Sequence, residues 1–290
     1  MPQFYNRIAI VGFGLIGSSI ARACHVNKLA GHIVCVDTSE DVCAYVREHQ
    51  LADTATTNIG AGVSDADLVI LATPVGTFQQ LAKVISPYLA VGATISDVGS
   101  VKGLVADAFK NLPDTVHKVP AHPIAGTEHS GPQAGLADLF NGKWCILTPE
   151  RENEASEHLA AFWRSMGAKV ESMDAKRHDL VFATISHLPH LLAYTIVETA
   201  ADLEQDTGQD VIKFLGSSFR DFTRIAASDP VMWRDIFLTN SGAVLEILDR
   251  YMQDLQQMQT AVKNSDGEAL FNHFTRGRAI RRQIIDGEKA

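Results

Sequence analysis

The sequence predicts an α/β N-terminal domain built on a parallel sheet, followed by an all-α C-terminal domain. A G-x-G-x-x-G motif formed by Gly12, Gly14 and Gly17 joins an apolar segment to an Ala/Ile-rich helical segment. Apolar strand-like runs then alternate with helical patterns, and beyond them only long helical patterns remain. This order is typical of a Rossmann-type dinucleotide-binding domain over residues 1–173 and a helical domain over residues 174–290.

The glycine turn has the residue types that a pyrophosphate site requires. Gly12 permits a tight turn, Gly14 has no Cβ to block the pyrophosphate, and Gly17 lets the helix pack on the strand. The backbone amides that begin this helix, at Leu15 and Ile16, are placed to face the phosphates. A glycine turn that only connects a strand to a helix is the simpler interpretation, but the flanking strands and helix favour a dinucleotide site.

Asp37 ends the second predicted strand, 32–37, about 20 residues after the last glycine, as expected of a ribose-binding acid. Its carboxylate can accept hydrogen bonds from the ribose hydroxyls and would repel a 2′-phosphate. Residues 38–41 contain no arginine or lysine that could receive that phosphate. The sequence therefore predicts NAD rather than NADP. A role for Asp37 as the cap of the following helix is compatible with this one.

The remaining elements follow from apolar periodicity and turn residues. Further strands are predicted over 66–75, 94–97, 117–121, 143–147 and 169–173. Helices are predicted over 40–49, 77–86, 152–166, 175–203, 211–227, 231–263 and from 267 onwards. The apolar spacing within 231–263 is wide for a lone amphipathic helix, which indicates burial against a second subunit or within an ordinary helical core.

Composition excludes several classes of protein. A hydrophobic content of 46% with 20% charged residues indicates a globular chain, and no apolar stretch reaches the ~18 residues of a membrane span. A formal net charge of −9 argues against nucleic-acid binding. The nucleotide strand begins too early for a removable signal peptide. No C-x-x-C pairing occurs among the four cysteines, so we expect reduced core thiols in a cytoplasmic protein; they are Cys24, Cys35, Cys43 and Cys145.

Candidate reactive residues follow the later predicted strands. Thr73 and Pro74 come where the chain would pass the cofactor, and Ser100 could form a hydrogen bond near its nicotinamide end or cap the next helix. His122 begins a polar, glycine-containing loop after the strand at 117–121. A dehydrogenase that oxidises a carbinol needs a base for the hydroxyl proton, and neutral imidazole is suited to this near pH 7. The alternative for His122 is a structural histidine bonded to the backbone.

Taken together, these stretches resemble the prephenate/arogenate (cyclohexadienyl) dehydrogenase family of tyrosine biosynthesis over essentially the whole chain. The motifs that carry the resemblance are Val11–Ser18, Asp97–Lys102, His122–Gly126, Ser186–His190, and Asp221–Ile225 with Asp229–Trp233. The resemblance implies NAD(P)-linked oxidative decarboxylation of prephenate to 4-hydroxyphenylpyruvate, or of arogenate to tyrosine. It also implies a homodimer formed through the C-terminal helices, which would contribute to the substrate site.

The resemblance assigns catalytic roles to His122, which would bond the ring 4-hydroxyl and take its proton, and to Ser100, which would share this hydroxyl.

Five further residues are implied to bind substrate. His190 matches a second pocket histidine, Arg224 an arginine that binds a substrate carboxylate, and Asp221 the acid that positions it. Glu128 matches an acid near the pocket entrance, and Trp233 a tryptophan near the pocket across the dimer interface. A guanidinium fork suits a dianionic substrate. Without the resemblance, Asp221 and Arg224, three residues apart, indicate only a surface ion pair on one helix face.

Other interpretations remain open at this point. His187 and His190 are three residues apart, as metal ligands can be, but Pro189 disturbs the helix and hydride transfer needs no metal. A dehydrogenase of the β-hydroxyacid type would use a lysine of the interdomain helix, where only Lys176 lies and no K-x-x-x-N/D pattern follows. A non-enzymatic dinucleotide sensor would need none of the pocket histidines. Because the glycine motif begins at residue 12, we also expect a monofunctional chain without a chorismate mutase segment.

Overall fold

A computed structural model describes residues 3–127 and 129–287. Its larger sheet has six parallel strands within these residues, in the order β3-β2-β1-β4-β5-β6. The strands are β1 (Tyr5–Val11), β2 (Ala30–Val36), β3 (Thr54–Thr56), β4 (Leu68–Leu71), β5 (Thr94–Asp97) and β6 (His117–Lys118). This order places the carboxyl ends of β1 and β4 side by side, where such folds bind dinucleotides. The predicted Rossmann-type domain is confirmed.

Helices cover both faces of this sheet and make up the region after it. Those of the first part are α1 (Leu15–Asn27), α2 (Glu40–Glu48), α3 (Ile59–Val63), α4 (Phe78–Ile85), α5 (Lys102–Phe109) and α6 (Glu154–Ser165). Those that follow are α7 (Ala175–Phe182), α8 (Leu188–Thr207), α9 (Ser217–Thr223), α10 (Pro230–Thr239), α11 (Ser241–Lys263) and α12 (Gly267–Gly287). In the described part of the chain no strand follows Ser172, so the predicted all-α region is also confirmed.

The core lies on both faces of the sheet because side chains alternate along each strand. In β1, Ile8 and Ile10 belong to one fully buried cluster, whereas Ala9 and Val11 belong to a second cluster on the opposite face. Near-continuous apolar strands are what a parallel sheet buried on both sides requires.

The single strand predicted over 117–121 is wrong. The chain leaves β6 after Lys118, and a separate strand β7 (Ala121–Pro123) pairs antiparallel with β8 (Trp144–Leu147), which pairs parallel with β9 (Lys169–Ser172). Pro120 has no N–H to continue the first ladder, and its carbonyl accepts instead from Thr148 N at 2.9 Å. His122 therefore lies within β7 and not in a loop after a strand.

The helical region is more interrupted than predicted. A π-helical turn, Ala183–His187, separates α7 from α8 inside the predicted helix 175–203. The predicted helix 211–227 reduces to α9 between two 3₁₀ turns. The predicted helix 231–263 is broken at Asn240, whose side chain bonds to other elements. Such π turns are common at functional sites because they re-aim side chains.

The described residues form two compact units, one that ends at Ser241 and a second that begins at Gly242. The first contains every strand and the helices α1 to α10. The second consists of α11 and α12, which carry exposed apolar side chains such as Leu255, Phe271 and Phe274. The domain boundary expected between residues 173 and 174 stays a prediction.

One helical stretch, Ala175–Thr207, is long and apolar enough to cross a membrane by length and composition alone, which the search for apolar runs in the sequence had missed. A core helix of a soluble protein meets the same criterion. Asp179, within this stretch, bonds to the backbone of α5, so the start of the stretch packs against the nucleotide domain.

Candidate active site

The glycine turn has the geometry that its sequence predicts. Gly12 has a φ of +91°, and a Cβ there would lie 2.8 Å from the carbonyl oxygen of Ala72. A Cβ on Gly17 would lie 2.2 Å from the Gly12 oxygen, whereas a Cβ on Gly14 would meet no atom within 4 Å. Gly14 is the N-cap residue of α1, and no side chain caps this helix. Its first amides are therefore available to an anion placed beside Gly14.

Asp37 closes the same turn at the end of β2. Its Oδ2 accepts a hydrogen bond from Phe13 N at 2.9 Å, and its Oδ1 accepts one from Ser39 N at 3.0 Å. Ser39, and not Asp37, is the N-cap of α2. Because each carboxylate oxygen can accept a further bond, Asp37 retains acceptor capacity for ribose hydroxyls beside the glycines.

Gly14 and Gly17 allow a matched test of the cofactor site. We expect Gly17→Ala to lower both stability and NADH affinity, because its Cβ would overlap the Gly12 carbonyl and displace backbone. Gly14→Ala should keep wild-type stability, since its Cβ enters open space, yet weaken NADH binding by occupying the pyrophosphate position. Urea unfolding and NADH fluorescence titration measure the two effects. Unchanged NADH affinity of a folded Gly14→Ala would contradict this location of the site.

Thr73 and Pro74 follow β4 and lie beside the glycine turn. The Thr73 methyl group would lie 2.7 Å from a Cβ at Gly12. Thr73 Oγ1 is 2.7 Å from Thr77 Oγ1, which in turn donates to the Pro74 carbonyl at 2.7 Å. These bonds fix the conformation of the loop; the role of Thr73 and Pro74 in cofactor binding stays a prediction.

A buried ion pair joins the ends of β5 and β7. Asp97 and Lys102 are both fully buried; the Lys102 ammonium bonds to Asp97 Oδ2 and donates to the Ala121 carbonyl at 2.6 Å. Asp97 Oδ1 accepts from Ala121 N at 3.1 Å, and Oδ2 accepts from Gly99 N at 2.7 Å. Burial raises the pKa of Asp97 and lowers that of Lys102, while their mutual attraction opposes both shifts. The pair holds β7, and with it His122, against the end of β5.

Asp179 of α7 caps α5. Its Oδ1 accepts from Lys102 N at 2.7 Å and its Oδ2 from Gly103 N at 2.8 Å. A carboxylate at this position also interacts favourably with the helix dipole. The N-cap residue of α5 is Val101, without a side-chain bond, so the alternative of Ser100 as the helix cap is wrong. Ser100 instead lies partly exposed at the carboxyl end of β5.

His122 lies within hydrogen-bond distance of a second histidine. Its Nδ1 is 2.8 Å from Nε2 of His178, and Nδ1 of His178 is 2.9 Å from Oδ1 of Asp179. Phe182 packs on both rings, with centroids 4.8 and 4.4 Å away. Burial, together with nearby His178, Lys102 and His187, lowers the pKa of His122 well below its ordinary value. The imidazole is therefore neutral at pH 7 and able to accept a proton.

A second group of aromatic residues surrounds His190. Its ring stacks on Trp233, with centroids 3.6 Å apart, and its Nδ1 donates to the Ser186 carbonyl at 2.9 Å. Burial lowers the pKa of His190, and the nearby positive charge of Arg224 lowers it further. Trp233 also packs with Val101, the neighbour of Ser100. The structure therefore brings His190 and Trp233 to the loop that carries Ser100.

The role of Trp233 near the pocket across a dimer interface stays a prediction. Within its own chain Trp233 is buried, and His190, Val101 and Phe237 pack against it. Its indole fills the space between α8 and α10.

The expected pairing of Asp221 with Arg224 is not formed. Among the described residues no ion pair joins these two exposed side chains; α9 ends at Thr223, and Arg224 begins a 3₁₀ turn. Arg224 lies close enough to His190 for its charge to affect that ring. Glu128, expected at the pocket entrance, lies outside the described residues.

His187 and His190 do not face one another as metal ligands. His187 Nδ1 lies 3.2 Å from Asn240 Nδ2, and burial lowers the pKa of His187 to about 4. Within residues 3–127 and 129–287, no group of three or more histidine, cysteine, aspartate or glutamate side chains is placed to hold a metal ion.

Sequence reasoning missed several residues of this site. The sequence indicated no role for His178, Asp179 and Asn240, nor for Lys102 at the end of the motif Asp97–Lys102. The one available signal was the adjacent His-Asp pair at the start of the helical region, directly before the apolar run 180–182.

Two sequence models of one family match the chain. The nucleotide-binding domain of prephenate dehydrogenase matches residues 20–172, and the dimerization domain of prephenate dehydrogenase matches residues 174–276. The chain belongs to the prephenate dehydrogenase family. It is therefore an oxidoreductase, and both the resemblance and the prediction of a dinucleotide-binding domain are confirmed.

Relatives from the family cover nearly all of the chain. A cyclohexadienyl dehydrogenase of Zymomonas mobilis is 39% identical over 96% of this chain and 95% of its own length. A prephenate dehydrogenase of Bacillus subtilis is 34% identical over 94% of this chain and 75% of its own length.

The fold agrees with a solved family member. The prephenate dehydrogenase of Aquifex aeolicus, in complex with hydroxyphenyl propionate and NAD⁺, superposes with a TM-score of 0.89 at 35% identity, covering 96% of this chain and 98% of that one. An arogenate dehydrogenase of Synechocystis superposes with a TM-score of 0.82 at 26% identity, covering 96% and 99%.

Proposed function

We propose that the protein catalyses the NAD-dependent oxidative decarboxylation of prephenate to 4-hydroxyphenylpyruvate, of arogenate to tyrosine, or of both, in tyrosine biosynthesis. The observation that carries this proposal is the attachment of β7, which holds His122, to Asp97 at the carboxyl end of β5, the strand that Ser100 follows. Family membership supports the substrate class, since relatives are named for prephenate, arogenate and cyclohexadienyl substrates.

NAD is the cofactor that the residues at the sheet edge fit. The open space beside Gly14 can receive the pyrophosphate, and Asp37 retains acceptors for ribose hydroxyls. An uncompensated carboxylate there disfavours the 2′-phosphate of NADP. The solved relative with NAD⁺ supports this choice. When bound, NAD supplies the acceptor for the hydride that leaves C4 of the substrate ring.

His122 takes the 4-hydroxyl proton as the C4–H bond breaks, and the hydroxyl becomes a carbonyl. Ser100 shares a hydrogen bond with this oxygen. The ring is then a dienone, so the bond from its quaternary carbon to the carboxylate can break, releasing CO₂ while the electron pair makes the ring aromatic. The proton held by His122 returns to the oxygen, which becomes the phenol of the product. Aromatisation provides the driving force.

We further propose a homodimer in the cytoplasm, with the substrate domain starting at residue 174. The matched dimerization domain and the exposed apolar side chains of α11 and α12 support self-association. The four cysteines are buried and unpaired, as expected in a reducing compartment.

The deciding experiment follows NADH absorbance with NAD or NADP and either prephenate or arogenate. We expect turnover with NAD on at least one substrate, and the ratio of kcat/KM values identifies the preferred pair. If neither substrate is turned over with either cofactor, the proposed activity is wrong, although the family assignment of the fold remains.

Arg224→Ala is expected to raise KM for the substrate with a smaller change in kcat. Arg224 is exposed beside His190, where it can bind a substrate carboxylate in both the ground and the transition state, and loss of such uniform binding appears in KM. Steady-state kinetics measure the effect, with Arg220→Ala on the same segment as the control. An unchanged KM in Arg224→Ala would remove this residue from substrate binding.

A further inference from the structure

His122 stands at one end of a chain of hydrogen bonds that begins in α7. Oδ1 of Asp179 lies 2.9 Å from Nδ1 of His178, and Nε2 of His178 lies 2.8 Å from Nδ1 of His122. His178 is fully buried and Asp179 is 8% exposed. Since water has little access to these atoms, each side chain depends on its neighbour for a partner.

The identity of the groups fixes the direction of every bond in this chain. An ionised carboxylate can only accept, so Nδ1–H of His178 donates to Asp179. A neutral His178 then carries its lone pair on Nε2, which must accept from Nδ1–H of His122. The lone pair of a neutral His122 is therefore on Nε2, the nitrogen on the far side of the ring.

A doubly protonated His178 would reverse the second bond and place the lone pair of His122 on Nδ1. Burial opposes this, because it lowers the pKa of His178. The hydrogen bond to Asp179 and the charges of Asp179 and Asp97 raise this pKa, but burial, with the positive charge of Lys102, outweighs them. The Asp179 carboxylate is also shared with the amides of Lys102 and Gly103 at the start of α5. His178 is therefore neutral near pH 7.

We propose that His178 and Asp179 are positioning residues that keep His122 in the tautomer with an unprotonated Nε2. This inference rests on the proposed function, in which that nitrogen accepts the 4-hydroxyl proton. As the proton moves from the substrate oxygen to Nε2, His122 becomes an imidazolium whose Nδ1–H remains bonded to His178. In a ring free to change tautomer, the proton would occupy Nε2 for part of the time and block this transfer.

The kinetic test compares two replacements of His178. His178→Leu fills similar space without an acceptor, whereas the amide oxygen of His178→Gln can occupy the place of Nε2 and accept from His122. We expect His178→Leu to lower kcat by about 10²-fold, within the range of general-base catalysis. The kcat of His178→Gln should be at least tenfold higher than the kcat of His178→Leu. KM and NADH affinity should remain close to wild type in both.

A matched control is His25→Leu, which removes a histidine bonded to the Leu51 carbonyl away from this chain of hydrogen bonds and should leave kcat unchanged. An equal loss of kcat in His178→Leu and His178→Gln would contradict the proposed acceptor role, as would full activity in both.

A second measurement reads the tautomer directly and does not depend on turnover. Long-range ¹H–¹⁵N correlation spectra of protein labelled at histidine distinguish protonated from unprotonated ring nitrogens, and the signals of His122 are assigned by their loss in His122→Asn. We expect a protonated Nδ1 and an unprotonated Nε2 in the wild type. A protonated Nε2 would overturn the inference. If prephenate and arogenate are not turned over but the tautomer is as expected, the proposed function fails while the hydrogen-bond assignment stands.

Discussion

His122→Asn is expected to lower kcat by about 10²–10⁴-fold, the usual contribution of a general base. The Asn amide reaches the position of Nδ1, so it can still donate to Nε2 of His178, but nothing replaces Nε2 of the imidazole. The variant thus loses the proton acceptor while it keeps the buried hydrogen bond that His122 now makes at 2.8 Å.

Three measurements separate this effect from damage to the fold. Steady-state kinetics give kcat and KM, fluorescence titration gives NADH affinity, and urea unfolding gives stability. Only kcat should change substantially. The control is His25→Asn, at an exposed histidine outside the site. Wild-type turnover in His122→Asn would remove this residue from the mechanism.

The pH dependence of kcat follows from the same environment. Activity requires unprotonated His122, and burial holds the pKa of His122 well below its ordinary value. As the pH falls, kcat should therefore stay level through about pH 6.5, the pKa of an unperturbed histidine, and decline only at lower pH. A decline in kcat that began above this value would show that another group controls the protonation step.

The nucleotide site could be predicted from the sequence because its determinants are local. Gly12, Gly14 and Gly17 lie on one turn, and Asp37 follows on the adjacent strand, so their spacing already encodes their geometry. The apolar periods of the longer strands and helices predicted most of the element order for the same reason, but not β3, α3 or the break between β6 and β7.

The proton-accepting site could not be predicted in the same way because its partners are distant in sequence. His122 and His178 are separated by 56 residues, and Asp179 reaches Lys102 across 77 residues. Only the packing of α7 on α5 shows that His178 and Asp179 lie next to His122 of β7. The break at Asn240 in the helix predicted over 231–263 could not be predicted for a similar reason. The helical pattern does not show that the Asn240 side chain donates to the Asp179 carbonyl and lies close to His187.

Lys102→Met is expected to destabilise the protein by about 3–5 kcal/mol, the usual cost of leaving one charge of a buried pair without its partner. Lys102 and Asp97 are fully buried, so water cannot replace the lost ammonium. The Ala121 carbonyl would also lose its bond from this ammonium, which loosens the attachment of β7. Urea unfolding at neutral pH measures the change. Lys110→Met, at an exposed pair with Asp107, is the control and should leave stability close to that of the wild type.

The origin of this cost can be tested by pH and by a double variant. Without Lys102, burial raises the pKa of Asp97 above its unfolded value, so the folded state binds the additional proton. Stability of Lys102→Met should then fall as pH rises above about 4, the unfolded pKa of aspartate, and the deficit should shrink in acid. Asp97→Asn/Lys102→Met removes both charges and should be more stable than Lys102→Met alone. A double variant that loses the sum of the two single effects would show that packing and hydrogen bonds, rather than an uncompensated charge, make this pair necessary.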